Sequence, residues 1–331
     1  MLSDQGRQAY TSFIAGLYAH YHLSRWEQYS VEPSVAQSLH DKIVEDGNWF
    51  LGRIRGSVPV RDLKGKKIGM GVTRPIATRT DTSVPGVERT PRRVMTLDEK
   101  GFELFQVNTD TAIGYEEIDQ WSMFKDFAAR YQRQIRRAVG NDRILCGWHG
   151  VDHATTTDPV ANPLLEDVNI GWLQLLRNEA VSQIDEDSYG IGSDYPNLDT
   201  LVNEAKGLLE TVFQDNPDLV VMLSRDLMSN ERGQYFAAQG RRPSEKVKVP
   251  QGDVIQAYGG LPAMVPPFLP DGHIIITPPK NLAIYWQRNS WRRKHQDKPE
   301  KNEVQDFNSR NEGYVVEEYG AICALTNVHY D

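Results

Sequence analysis

Two histidines four residues apart, His149 and His153 in "WHGVDHATTTD", carry the spacing that first suggests chemistry. At i and i+4 of one helix they could share a metal ion, with Asp152 and Asp158 as oxygen ligands. The pattern stops short of a site. Cys146 has no second cysteine nearby, the glutamate of an H-E-x-x-H pair is absent, and the stretch turns toward loop residues. Polar residues at a helix-to-loop exit are the better reading, and no metal is expected.

The glycines of "KGKKIGMG", starting at Lys64, invite a nucleotide loop. A phosphate cradle needs glycine-flanked amides and a lysine converging on a helix start, whereas here the lysines precede the glycines and no helical pattern follows Gly71. Nucleophilic catalysis fares no better. There is no G-x-S-x-G, and Ser224 in "LSRDLM" reads as a helix cap. The pairs Glu116-Glu117 and Glu317-Glu318 are sequence neighbours, so their side chains point in different directions. No catalytic residue and no cofactor emerges, and the chain reads as a non-enzyme.

The whole chain of 331 residues, 39% hydrophobic and 25% charged, can bury a sizeable core. Its longest apolar runs, such as "LVVML" (219–223), are strand-sized, far from a membrane span of ~20 residues. The N-terminus has no basic start followed by an apolar block, so no secretory signal is expected. Cys146 and Cys323 read as reduced thiols. A net charge of −8 argues against a dedicated DNA-binding domain. The basic clusters Arg89–Arg93, Arg130–Arg137 and Arg288–Lys294 remain possible phosphate contacts, although solvated faces or subunit contacts are the simpler reading.

The elements that would position these residues follow from periodicity. Apolar spacing predicts a short helix over 8–18, and Pro33 suits the first turn of a second helix in "VEPSVAQSLHDKIVED". Between them "LSRWEQYS" has no period and reads as an exposed joint. From Arg53 to Ala112 there is no helical period, and the return limb "FELFQVNTDTAIGY" alternates like a strand. A long helix is predicted from Ile118 to Ala138, stopped by Gly140-Asn141, and another over Leu198–Val212, capped by Asn197. Strands follow at Leu219–Leu223, in "HIIIT" and "LAIYW" around "PPKN", and in the terminal "YVVEEYGAICALTNV". The fold class is α+β.

The stretch Lys64–Arg93 is basic, rich in glycine and almost free of bulky apolar residues. A limb of about 12 extended residues, Ile68 to Arg79, would span about 40 Å at ~3.3 Å each. A compact domain of this length has a radius of gyration of roughly 20 Å. Such an arm cannot be buried in its own subunit, and it can be stabilised by lying across a neighbour.

Several stretches together carry a resemblance: "VEPSV" (31–35), "DLKGKKIGMGVT" (62–73), "GWLQLLRNEA" (171–180), "DNPDLVVMLSRDLM" (215–228), "GGLPAMVPPF" (259–268), "NLAIYWQRNSWRR" (281–293) and "YVVEEYGAICAL" (314–325). From about Val31 to Val328 the chain resembles the major capsid proteins of P2-like tailed bacteriophages, within the HK97-like capsid fold. The resemblance implies an N-terminal arm at 1–50, an extended E-loop at 51–115, a peripheral domain with a long spine helix at 116–160, an axial domain at 161–299, and a return to the peripheral domain at 300–331. It further implies pentamers and hexamers that close into an icosahedral head around double-stranded DNA, bound without sequence preference. Assembly in the host bacterial cytoplasm is expected, with an internal scaffold fused to a head protease and a portal protein at one vertex, and without a membrane. About 1–30 would be removed on maturation, with the cut expected at Tyr29, Ser30 or Val31. Lys64, Lys66, Lys67 and Arg89 are the expected contacts of the arm with its neighbour. The rivals are a metal-dependent hydrolase using His149 and His153, and a nucleic-acid binder using the basic clusters.

Overall fold

Between Glu303 and Val316, buried residues alternate with more exposed ones before the strand becomes wholly covered. That period of two is the signature of a strand with one face packed, and the segment forms β15 (Glu303–Val316). In this computed structural model residues 33–66, 101–121, 127–238 and 257–331 are described continuously, together with 8, 11, 12, 15, 29, 30, 77–81, 83, 88 and 89.

The first sheet assembles around β15. Its order is β1 (Tyr29–Ser30), β14 (Arg292–Lys298), β15, β13 (Leu282–Gln287) and β2 (Arg55–Val60), and β5 (Phe105–Asn108) and β6 (Thr111–Gly114) pair with further residues of β15. All these pairs are antiparallel except β13 with β2. Helix α1 (Pro33–Asp46) packs on α4 (Phe127–His149), and Ala36, Ile43 and Val139 from the two helices share a cluster with Trp286 and Trp291 of this sheet region. Two short helices, α2 (Trp49–Arg53) and α3 (Tyr115–Trp121), join them.

The second sheet runs β10 (Ala257–Tyr258), β11 (Leu261–Met264), β9 (Val220–Leu223), β12 (Ile274–Thr277), β16 (Cys323–Leu325) and β7 (Ile184–Asp185). Strands β8 (Tyr189–Ile191) and β17 (Val328–Tyr330) pair beside it. All four residues of β12 are buried, which a central strand covered on both faces requires. Leu198, Leu201 and Val202 of α6 (Leu198–Ala205) and Leu227 and Met228 of α7 (Arg225–Ala238) complete that core. A third helix, α5 (Trp172–Glu179), drives the fully buried Trp172 into a core shared by the two sheets. Two short connections cross between the sheets side by side. β12 leads to β13 through Pro279–Asn281, and β15 leads to β16 through Tyr319–Ala321.

Three helical expectations need correction. The helix predicted from Ile118 to Ala138 is two helices, α3 and α4, with 122–126 outside the described residues. Gly140-Asn141 does not stop α4, which continues to His149. Gly140 is there for close approach: a Cβ on it would lie 3.0 Å from the Gly47 Cα and 3.2 Å from Leu51. One helical turn pair further on, a Cβ on Gly147 would lie 2.3 Å from the Trp172 ring. Glycine in this helix marks where neighbours touch its backbone. The helix predicted to Val212 ends earlier, at Ala205, tightens into a 3-10 turn over Lys206–Leu208, and leaves Val212 exposed. Ser224 precedes α7, yet its buried hydroxyl has no hydrogen-bond partner among the described residues; the cap contact is its carbonyl, which accepts from the Met228 amide at 3.2 Å.

β13 and β14 belong to the first sheet, and β16 belongs to the second. Of the predicted helix over 8–18, residues 8, 11, 12 and 15 are helical and the rest lie outside the described residues. The cap at Asn197 is present, its Oδ1 accepting from the Thr200 amide at 2.9 Å.

Candidate assembly surfaces

The segment that holds the basic stretch starts and ends on a short strand pair, and most of 67–100 lies outside the described residues. β3 (Lys64–Lys66) pairs antiparallel with β4 (Gly101–Glu103), so the chain departs after Lys66 and returns at Gly101 beside its own exit. The base is pinned by apolar contacts. Leu104 is buried and its amide donates to the Leu63 carbonyl at 2.9 Å. The Phe102 ring meets Tyr285 edge-on at 5.2 Å, and Phe105 stacks on His153 at 3.9 Å. Beneath the ribbon an open cleft of about 560 Å³ runs between Lys64, Phe102 and His153 on one side and Asn178, Glu179 and Tyr319 on the other.

Of the residues expected to contact a neighbour, Lys64 and Lys66 are exposed on β3, and Arg89 is exposed. Lys64 already forms an ion pair across the ribbon with Glu103. Lys67 lies outside the described residues. At the other candidate locus, Tyr29 and Ser30 form the edge strand β1 opposite Arg293 and Arg292, and Val31 lies outside the described residues. The joint expected to be exposed is strand-paired at its end.

His149 and His153 are not brought together as helix neighbours, because α4 ends between them. His149 Nε2 lies 3.0 Å from the Phe268 carbonyl, and His153 is committed to Phe105 and Asp152. Asp158 accepts from the amides of Val160 and Ala161 and so shapes the loop. Among the described residues no group of three or more His, Cys, Asp and Glu could hold a metal. Burial pushes the Cys146 and Cys323 thiols up to about 12, so neither is a ready thiolate. Part of the basic clusters is already answered within the chain: Arg136 pairs with Asp46 at 2.7 Å, and Arg293 pairs with Asp306 at 2.5 Å.

Sequence reasoning missed a sealed ionic cluster between α1, α4 and β15. Arg143 of α4 reaches both carboxylate oxygens of Glu312, at 2.9 and 2.8 Å, and Arg310 pairs with the same carboxylate. The Arg143 Nη2 also donates to His40 Nδ1 at 2.9 Å. The His40 ring stacks on Trp286 at 4.2 Å and meets Trp291 edge-on at 5.1 Å, while the Arg310 guanidinium lies 5.2 Å over Trp291. All four polar residues are buried. Burial brings the Arg143 guanidinium down to about 10 and, with Arg143 and Arg310 adding to it, holds the His40 imidazole well below its ordinary value. The available signal was the row Arg310 and Glu312 on the covered face of an alternating strand, where free charges are rarely placed.

The family model for the phage major capsid protein, P2 family, matches residues 8–328. This chain belongs to that family. It is 37% identical over 319 residues to the capsid proteins of Escherichia phage P2, covering 91% of this chain and 87% of that one. It is 30% identical to the major capsid protein of Serratia phage KSP20, covering 92% and 90%. Among solved structures it superposes on a chain of the satellite phage P4 procapsid that includes the size determination protein, with a TM-score of 0.79, 36% identity and coverage of 96% and 97%. The capsid of an empty GTA particle, at 12% identity and a TM-score of 0.52 over 84% of this chain and 89% of that one, shares the fold. The protein is therefore a structural phage major capsid protein with the α+β HK97-like fold, a component of the virion, and the hydrolase and nucleic-acid-binding alternatives are not favoured.

Proposed function

We propose that this capsid protein forms the pentamers and hexamers of an icosahedral head around double-stranded DNA, and that 67–100, carried on the β3–β4 ribbon, is the limb that clasps a neighbouring subunit. The observation that carries the clasp is the ribbon itself: three residues pair with three at its base, and Lys64, Lys66 and Arg89 are exposed. The stretch Lys64–Arg93 is almost free of bulky apolar residues, which leaves most of the limb's stabilisation to come from outside the subunit. In closed rings each such contact is repeated and weak contacts add up.

In this reading the first sheet with α1 and α4 is the peripheral domain, the second sheet with α6 and α7 is the axial domain, and the ribbon bears the E-loop. No side chain carries out a chemical step. The subunit assembles in the host bacterial cytoplasm with a scaffold, a head protease that trims it near Tyr29–Val31, and a portal protein at one vertex. Replacing 67–100 with a short Gly-Ser turn, with β3 and β4 kept, tests the clasp. Circular dichroism should be unchanged while sedimentation shows loss of shells; normal shells from that variant would overturn the reading.

A further inference from the structure

His40 has spent its one acceptor on a cation. Arg143 can only donate, so His40 Nδ1 must be the unprotonated ring nitrogen and the single proton sits on Nε2. That Nε2 has no partner among the described residues, and neither has Arg143 Nη1. The cluster holds two guanidinium groups against one carboxylate, Glu312, with the imidazole fully buried between two tryptophans. A proton on Nδ1 would therefore break the bond to Arg143, point N–H at N–H, and add a third positive charge to a sealed site.

We propose that α1 is an acid-released latch: protonation of His40 expels α1 from the first sheet while the sheet and α4 stay folded. The groups that face or flank the imidazole are few. From α4 come Arg143 and, beside it in sequence, Asp142; from β15 come Arg310 and Glu312; from β13 and the turn into β14 come only Trp286 and Trp291. Further along the covered face of the sheet lies the pair His295 and Asp306. On α1 itself Asp41, Lys42 and Glu45 are exposed. None of these supplies a carboxylate to the unpartnered side of the ring. The direction follows from linkage. The released imidazole titrates near its free value of about 6.5 and the docked one below it, so docking is at full strength at neutral pH and weakens by up to about tenfold per pH unit below that value. Release would also free the chain N-terminal to α1, which includes β1 on the sheet edge.

Hydrogen exchange of the full-length chain in assembled particles, corrected for the intrinsic pH dependence, tests this. Between about pH 6.5 and 4.5 the protection of 34–46 should fall more than about tenfold, with that of β13 unchanged. His40→Asn keeps an acceptor toward Arg143 and cannot take a proton, so its protection in 34–46 should not vary over that range. Arg310→Met removes one cation and should shrink the fall to less than about threefold, which keeps the proposal testable if His40→Asn does not fold. An equal fall in the parent and in either variant, or a fall shared by β13, would overturn the latch.

Discussion

Glu312 is the only carboxylate in contact with Arg143 and Arg310 among the described residues, and the backbone around it is tied as tightly. Asn169 Nδ2 donates to the Glu312 carbonyl at 3.0 Å, and the Tyr314 hydroxyl donates to the Arg143 carbonyl at 2.8 Å. Removing one partner of a buried ion pair leaves the other charge without water, so Glu312→Gln should destabilise the subunit by about 3–5 kcal/mol. The urea midpoint of the dissociated subunit checks this, and a loss under about 1 kcal/mol would mean that water reaches the cluster. Gly147→Ala places a methyl group inside the Trp172 ring and should cost about 1–3 kcal/mol in the same measurement. Neither residue announced itself in the sequence. Arg143 lies in a helix rich in arginine whose other members are mostly solvent-facing, and a glycine in a helix ordinarily reads as an end.

At the scale of elements, long uniform patterns were legible and their ends were not. The alternation of the return limb "FELFQVNTDTAIGY" marked the strands β4, β5 and β6, and Pro33 and Asn197 marked helix starts because each satisfies or removes an orphan amide. The end of α4 was hidden because Gly140 answers to Gly47, a contact distant in sequence. The ribbon's charges were legible too, but not that Glu103 returns opposite Lys64. Lys64→Glu would set like charges across the ribbon as well as toward a neighbour. The combined reversal of Lys64, Lys66, Lys67 and Arg89 should raise the concentration needed for assembly, more at low salt than at high, as light scattering across ionic strengths would show. Assembly indifferent to these changes would move the contact away from the arm's charges.

At the scale of the whole molecule, the family was legible because short motifs recur in order from one end of the chain to the other. The division into sheets was not, because strands of both sheets pair with residues far away in sequence. One prediction belongs here. Intact mass of subunits from mature, DNA-filled particles should be lower by the segment before about Tyr29–Val31. A full-length mass would refute trimming. Because Tyr29 and Ser30 are paired to Arg293 and Arg292, a cut there requires that edge to open first.

The crossing of two connections between the sheets has a mechanical consequence. β12–β13 and β15–β16 form an isthmus whose two bends, Pro279–Asn281 and Tyr319–Ala321, lie side by side. Asn281 ties them together, accepting from the Glu318 amide at 2.7 Å and donating to the Glu318 carbonyl at 2.8 Å. Any tilt of one lobe relative to the other has to bend this bolted joint as well as shear the core the two sheets share around Trp172, so the Asn281 bonds stiffen the subunit against such a motion. Loosening the bolt with Asn281→Ala should widen the spread of particle diameters while leaving each lobe intact, and electron micrographs of the particles would measure that spread directly.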